Sequence, residues 1–457
     1  MGPSLYRTLW RWHFYAGVFV LPMIVILSLT GAVFLFKPQI DRWEERAWRG
    51  LPVAGAVTPD TQVAAALASY PGAQLSSYRL PEAAGDAALV HLRLAGRAAG
   101  EAGAMRDVFV SPQGRVVGVL DPEARIASTV QTIHGQLLLG RRGSWLVELA
   151  ASWAIVLVVT GLALWWPRGR GPAGVVWPRL GRGARTAWRD LHAVTGFWVS
   201  GLALVLLLTG LPWADAWGSA FKAVRAEMGW VKGAQDWTVG GRAPPPQVAQ
   251  ADEDGHAGHD HVMMAGTMMM HDHHAMMMPR VTLADVVAKA RREHLAFPVL
   301  VAPPGADAAA WTVKSDTQNR PLRMTIRYDA RTGRELSRKG FADGHPIDRV
   351  VGYGVAWHEG QLFGAVNQAI GVLTAVMLVM MAVTGFVLWR RRKPADGLGA
   401  PPRHREGPPR WLVPLVLMLA AFLPLLAASL VVVVVFDRLV LPLMPGLARW
   451  LGVAAPA

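Results

Sequence analysis

Four histidines in this 457-residue chain stand at positions that repeat. His13 is followed by Gly17 and by Thr30-Gly31, at offsets of 4, 17 and 18, and His192 is followed by Gly196 and Thr209-Gly210 at the same offsets. His134 leads Leu138-Leu139-Gly140, Thr160-Gly161 and Trp165; His358 leads Leu362-Phe363-Gly364, Thr384-Gly385 and Trp389, with offsets of 4, 5, 6, 26, 27 and 31 in both. Such agreement is the mark of an internal duplication. A lone histidine near the end of an apolar segment is more often an interfacial or hydrogen-bonded residue than a ligand. Four at duplicated places are expected to work in pairs, and two imidazoles facing each other across an apolar slot are what a b-type haem takes as axial ligands. The chain has no cysteine, so haem attachment through C-x-x-C-H, iron–sulfur clusters, thiolate zinc and disulfides are all excluded.

The elements that must position these residues are membrane spans. Hydrophobic residues make up 52% of the chain, charged residues only 17%, and there are 20 Trp. A hydrocarbon core needs about 20 apolar residues per span. Phe14 to Phe36, Trp145 to Trp166, Ala193 to Trp213, Val366 to Trp389 and Trp411 to Phe436 meet that length, with Glu148 the main charged exception. The first span has a long apolar run with no small-residue cleavage site after it, so it reads as an uncleaved anchor. Six Arg against one Asp in Arg168 to Asp190, and seven basic residues against two acids in Arg390 to Arg410, place these connections and the N-terminus in the cytoplasm. The net charge of +14 is then a topological signal and calls for no nucleic-acid partner.

The expected architecture is a membrane α-helical bundle of duplicated two-helix repeats, with four core spans plus a fifth, and two small α+β modules in the periplasm of a bacterium. Repeat 1 covers 5–168, with span 14–36, module 37–133 and span 145–166. A basic loop, 167–190, leads to repeat 2 at 191–393, with span 193–213, module 214–357 and span 366–389. A second basic loop, 394–410, precedes the fifth span and tail, 411–457. Parallel repeats bring equivalent residues to equivalent depths. His13 is therefore expected to face His192 on the inner side, and His134 to face His358 on the outer side. Pairing His13 with His134 would ask one haem to bridge a core of about 30 Å. Gly17, Gly31, Gly196 and Gly210 supply small positions beside the ring, or ordinary small-residue helix packing, and the Thr of each Thr-Gly bonds back to its own helix.

The external loops follow one order twice. Thr58 to Tyr70 reads as a capped helix, followed by strand-like Ala88 to Leu94 and Asp107 to Gly114; Val281 to His294 reads as the second helix and Met324 to Gly333 as the matching strand and turn. With the His-x-x-x-Gly and Thr-Gly spans and the run Trp357-His358-Glu359-Gly360-Gln361-Leu362-Phe363-Gly364, residues 5 to 395 resemble the PepSY-associated transmembrane family. That family includes iron-regulated inner-membrane proteins and haem-containing ferrisiderophore reductases. The repeat has one departure: Gly-Gln-Leu follows His134 directly but is displaced by Glu359 after His358.

The two outer intervals differ in length. His13 to His192 spans 179 residues and His134 to His358 spans 224, because the second module carries an addition at 252–279. It holds His256, His259, His261, Met263, Met264, Met268, Met269, Met270, His271, His273, His274, Met276, Met277 and Met278. Thioethers suit Cu(I) and imidazoles Cu(II), Zn or Ni, so the tract is expected to bind copper, or else is a tolerated low-complexity insertion.

Three functions are open at this level. The first is a di-haem b oxidoreductase of the inner membrane that passes electrons to a periplasmic acceptor. The resemblance implies a ferric siderophore, whose hard oxygen ligands hold Fe(III) far better than Fe(II). The second is the same path used on Cu(II). The third is a non-enzymatic metal-binding or accessory protein. No nucleotide motif is present, so the electron donor would be a membrane quinol or a cytoplasmic reductase.

Overall fold

A computed structural model describes residues 2–97, 101–167, 171–231, 281–305, 309–401 and 410–453. Helix α1 (Pro3–Phe34) begins eleven residues before the apolar run, with a proline in its first turn where no N–H partner is needed. A short α2 (Lys37–Glu44) turns the chain into α3 (Pro59–Ala68), capped by the Thr58 hydroxyl on Thr61 N, as its Thr-Pro-Asp start foretells. Strands β1 (Gln74–Arg79), β2 (Ala88–Arg93), β3 (Met105–Val110) and β4 (Val116–Leu120) follow, then α4 (Ile126–Gln136) and the long α5 (Gly140–Trp165). The second half repeats this order as α6 (Ala184–Gly210), α7 (Asp215–Glu227), α8 (Leu283–Arg292), β5 (Val299–Ala302), β6 (Ala310–Ser315), β7 (Met324–Asp329), β8 (Glu335–Gly340), α9 (Pro346–His358) and α10 (Ala365–Arg392).

The eight strands form one antiparallel sheet in the order β4-β3-β2-β1-β5-β6-β7-β8. Its two halves join edge to edge, Tyr78 opposite Val301 and Arg79 opposite Leu300. Two separate modules would each leave an open edge at β1 or β5; joining them pairs both. The shared core supports the joint: Val63, Tyr78, Val90 and Val108 pack in one cluster with Val286, Val301, Val313 and Ile326. Asp60 of α3 accepts from the N–H groups of Leu283 and Ala284 at the start of α8, at 3.1 and 2.9 Å, so each half caps or covers the other.

Five helices among the described residues are long and apolar enough to cross a membrane: α1, α5, Ala184–Trp213, α10 and Pro424–Leu443. This is a multi-pass membrane protein. The apolar run Trp411 to Phe436 does not form one span. Leu423, restricted by the proline after it, takes an extended conformation and divides the run into α11 (Leu412–Phe422) and α12 (Pro424–Val435). The bend lies by the start of α7, where Trp217 Nε1 donates to Phe422 O at 2.9 Å. Beyond it a last helix, α13 (Pro445–Trp450), returns to the other end of the bundle. There Leu398 N donates to Trp450 O at 2.8 Å and the Arg11 guanidinium binds Gly452 O and Pro401 O. Glu148, the acid inside α5, is buried and accepts from Ala216 N and Trp217 N at 2.9 and 3.0 Å, satisfying the first turn of α7.

Candidate functional site

Helices α1, α5, α6 and α10 pack as a bundle in which α1 touches α5 and α10 while α6 touches α10 and α5. Between them lies a cavity of about 1520 Å³ lined by all four histidines and mostly by apolar side chains. That exceeds the roughly 300–1,000 Å³ of an ordinary small-molecule pocket. The histidines meet inside it in the expected pairs: the rings of His13 and His192 lie 6.4 Å apart, and those of His134 and His358 lie 6.3 Å apart.

Each ring is held the same way. His13 Nδ1 contacts Thr160 Oγ1 at 3.1 Å, His134 Nδ1 contacts Thr30 Oγ1 at 3.0 Å, His192 Nδ1 contacts Thr384 Oγ1 at 2.9 Å, and His358 Nδ1 contacts Thr209 Oγ1 at 3.1 Å. The Thr-Gly doublets therefore receive histidines from elsewhere in their own half, and they do so at opposite ends. Thr30 shares α1 with His13 but serves His134. The glycine after each threonine makes room for the ring: a Cβ on Gly31, Gly161, Gly210 or Gly385 would stand 3.1, 3.1, 3.2 or 3.4 Å from the Cε1 of the histidine it faces. Gly17 and Gly196 also line the cavity, with no histidine within 4 Å of a Cβ built there. Their neighbours are Leu157 and Met381 on the packed helix, which is ordinary close helix packing. Spacing alone marks the doublets as repeated; which histidine each one meets is visible only in three dimensions.

The pairs suit a planar metal cofactor. With a metal–nitrogen bond of about 2.0 Å and about 1.15 Å from nitrogen to ring centre, two imidazoles on opposite sides of one metal put their centres about 6.3 Å apart. The observed separations match that value. Two ligands alone hold a bare ion poorly, and no group of three or more His, Cys, Asp or Glu among the described residues is placed to hold one. A group that brings its own nitrogens to the metal would need only these two ligands, and the cavity between the helices is mostly apolar.

His134 and His358 sit on short helices before the spans α5 and α10, and these need anchors. Arg125, at the start of α4 and only 10% exposed, reaches Glu44 at 3.2 Å and Glu45 at 2.8 Å, with Asp41 and Asp107 also within 4 Å. Burial favours a protonated Glu45, but its bidentate partner Arg79 and then Arg125 hold the carboxyl below its ordinary value. On α9, Asp348 pairs with the fully buried Arg225 at 2.8 Å. Burial, and next the facing His134, push His358 down to about 4, and burial lowers His134 as well.

The two turns after these histidines differ. After His134 the chain turns through left-handed Leu137 and Leu138; after His358 it uses Gly360 at φ 72°, with Glu359 ending the helix. Glu359 is buried beside His358 and faces Gln318 at 3.5 Å and Arg320 at 3.7 Å on the β6–β7 connection. Glu359, which displaces Gly-Gln-Leu in the second motif, thus links that turn to the sheet. The tract His256 to Met278 lies outside the described residues.

A protein-family model described as the PepSY-associated TM region matches residues 10–392. No curated protein matches the chain.

Proposed function

The chain belongs to the PepSY-associated TM region family, and from that premise we propose that it is a di-haem b oxidoreductase that carries electrons across the membrane to a metal acceptor. The observation that carries this reading is the pair of His–His spacings, 6.4 and 6.3 Å, at two levels of one apolar cavity. In this reading the halves arose by duplication, the N-terminus and the basic loops lie in the cytoplasm, and the sheet lies in the periplasm. A b-type haem held by His13 and His192, or by His134 and His358, would supply one-electron transfer.

The chain's own residues do the rest. His13 and His192 define the site at one end of the bundle, and His134 and His358 the site at the other. The apolar walls exclude water between them. Helices α4 and α9 tie the second site to the sheet, which then presents the acceptor beside it. Resemblance to ferrisiderophore reductases supports a ferric siderophore as acceptor: one added electron converts Fe(III) to Fe(II), which hydroxamate or catecholate oxygens hold weakly, and the metal leaves. The donor is a quinol or a cytoplasmic reductase.

The Met- and His-rich composition of 255–278 favours a second reading, in which the acceptor is Cu(II). One experiment separates the readings. Protein purified from haem-replete cells is expected to carry two non-covalent haems per chain, extractable by acidic organic solvent. Dithionite-reduced protein is then mixed anaerobically with a ferric siderophore or with a Cu(II) chelate while haem reoxidation is followed optically. Faster reoxidation by the ferric chelate supports the iron reading, and faster reoxidation by Cu(II) the copper reading. A colourless preparation overturns both and leaves a metal-binding accessory protein.

A further inference from the structure

The four threonines that meet the histidines also bond their own helices, and that double contact decides where a proton sits. Thr30, Thr160, Thr209 and Thr384 each donate their hydroxyl to the carbonyl four residues back, Ile26, Val156, Val205 and Met380, all at 2.7 Å. A threonine hydroxyl has one proton. With that proton spent on the helix, the oxygen can only accept at its contact with the imidazole. The proton in each His–Thr contact therefore belongs to Nδ1, and Nε2 carries the lone pair. The same arrangement holds at all four sites, between residues 104 to 192 apart in sequence.

We propose that Thr30, Thr160, Thr209 and Thr384 are positioning residues that hold the four histidines as Nδ1–H tautomers, present Nε2 to iron, and thereby set the potentials of both haems. This rests on the di-haem reading above. An outer hydrogen bond of this kind orients a ligating imidazole and makes it more basic. A more basic ligand favours the ferric state, so each threonine lowers the potential of the centre it serves. The backbone bond back to the same helix keeps the hydroxyl from rotating away. Because Thr30 and Thr209 lie on α1 and α6 but contact His134 and His358, their influence falls on the centre at the far end of their own helices.

The test uses full-length protein carrying a single haem, in His192→Ala and His358→Ala backgrounds. In the first, Thr30→Val or Thr209→Val is expected to raise the midpoint potential of the remaining haem. A change of up to about tenfold in ferric over ferrous preference per threonine corresponds to about 59 mV for one electron. In the second background, Thr160→Val is expected to act in the same way on the haem that pairs with His13. The Ser variants keep the hydroxyl and are expected to leave the potential near that of the parent. Loss of haem in a Val variant that its Ser counterpart retains also supports the assignment. An unchanged potential in the Val variants, an equal shift or equal haem loss in the Ser variants, or a shift caused by Thr30→Val only where the His13 centre remains would overturn it. A parent protein without haem overturns the reading beneath it instead.

Discussion

The His13–His192 pair and the His134–His358 pair are alike at the rings and unlike at the backbone. Both have the same ring separation, the same Nδ1–threonine contact and a glycine under each ring. Yet His13 and His192 sit inside long membrane helices, α1 and α6, whereas His134 and His358 sit on short helices that precede α5 and α10. A residue inside a 32-residue helix is placed by its own hydrogen-bond ladder and by helix packing. One at the end of an 11-residue helix is placed by whatever anchors that helix, here charged side chains tied to the sheet. The first site is therefore a property of the bundle, and the second is a joint property of bundle and sheet.

The largest expected effect tests the pairing itself. Replacing any one of the four histidines with Ala is expected to remove one haem of two, counted by pyridine haemochrome per polypeptide. Replacing both members of a pair should be no worse than replacing one, since they share a single iron. Should His13→Ala and His134→Ala instead behave as one unit, the two-site comparison collapses.

Next comes Arg125→Ala, which removes the cation shared by Glu44, Glu45, Asp41 and Asp107 and leaves Glu45 with Arg79, Asp41 with Lys37 and Asp107 with His91. Breaking a buried ion pair costs about 3–5 kcal/mol, and the loss is expected at the His134–His358 centre, with the other spectrum intact. Acid should imitate this change. Because Glu45 titrates below its ordinary 4.5 in the folded protein, its pairing with Arg79 and Arg125 contributes fully above that value and is lost as pH falls through the lowered one. In an acid titration followed by the spectra of the two single-haem variants, the His134–His358 centre should bleach first. Simultaneous loss would show that the sheet anchors matter equally to both.

Smaller effects sharpen the comparison at the rings. Gly31→Ala and Gly161→Ala would bring a methyl to 3.1 Å of a histidine carbon, and overpacking of this kind costs about 1–3 kcal/mol. Gly31→Ala should broaden the spectrum of the centre at His134, although its helix carries His13. Gly17→Ala, with Leu157 at a comfortable 3.7 Å, should be close to neutral in a thermal melt. The smallest effect is expected from deleting 255–278, which adds to the second half something the first half lacks; haem content and melting temperature should be unchanged while copper binding falls. A haem loss on deletion would give the tract a place in the second site.

Much of this was set locally. An apolar run of about 20 residues declares a membrane helix wherever it stands, because the cost of unpaired backbone in lipid leaves few other choices. The Thr58 and Thr282 caps and the strands Ala88–Arg93 and Met324–Asp329 follow from short-range hydrogen bonding and alternation. The repeated spacing even named the four histidines and which should face which. Three features depended on contacts that no local pattern encodes. The joining of β1 to β5 needed two edges far apart in the chain to meet, and the return of the last helix to Arg11 needed a distant docking site. The meeting of each Thr-Gly doublet with a histidine of another helix, as Thr30 with His134 and Thr160 with His13, needed helices packed in register. Chemistry at a site requires groups within about 3 Å of one another, and for residues more than a hundred positions apart that proximity is decided by packing alone.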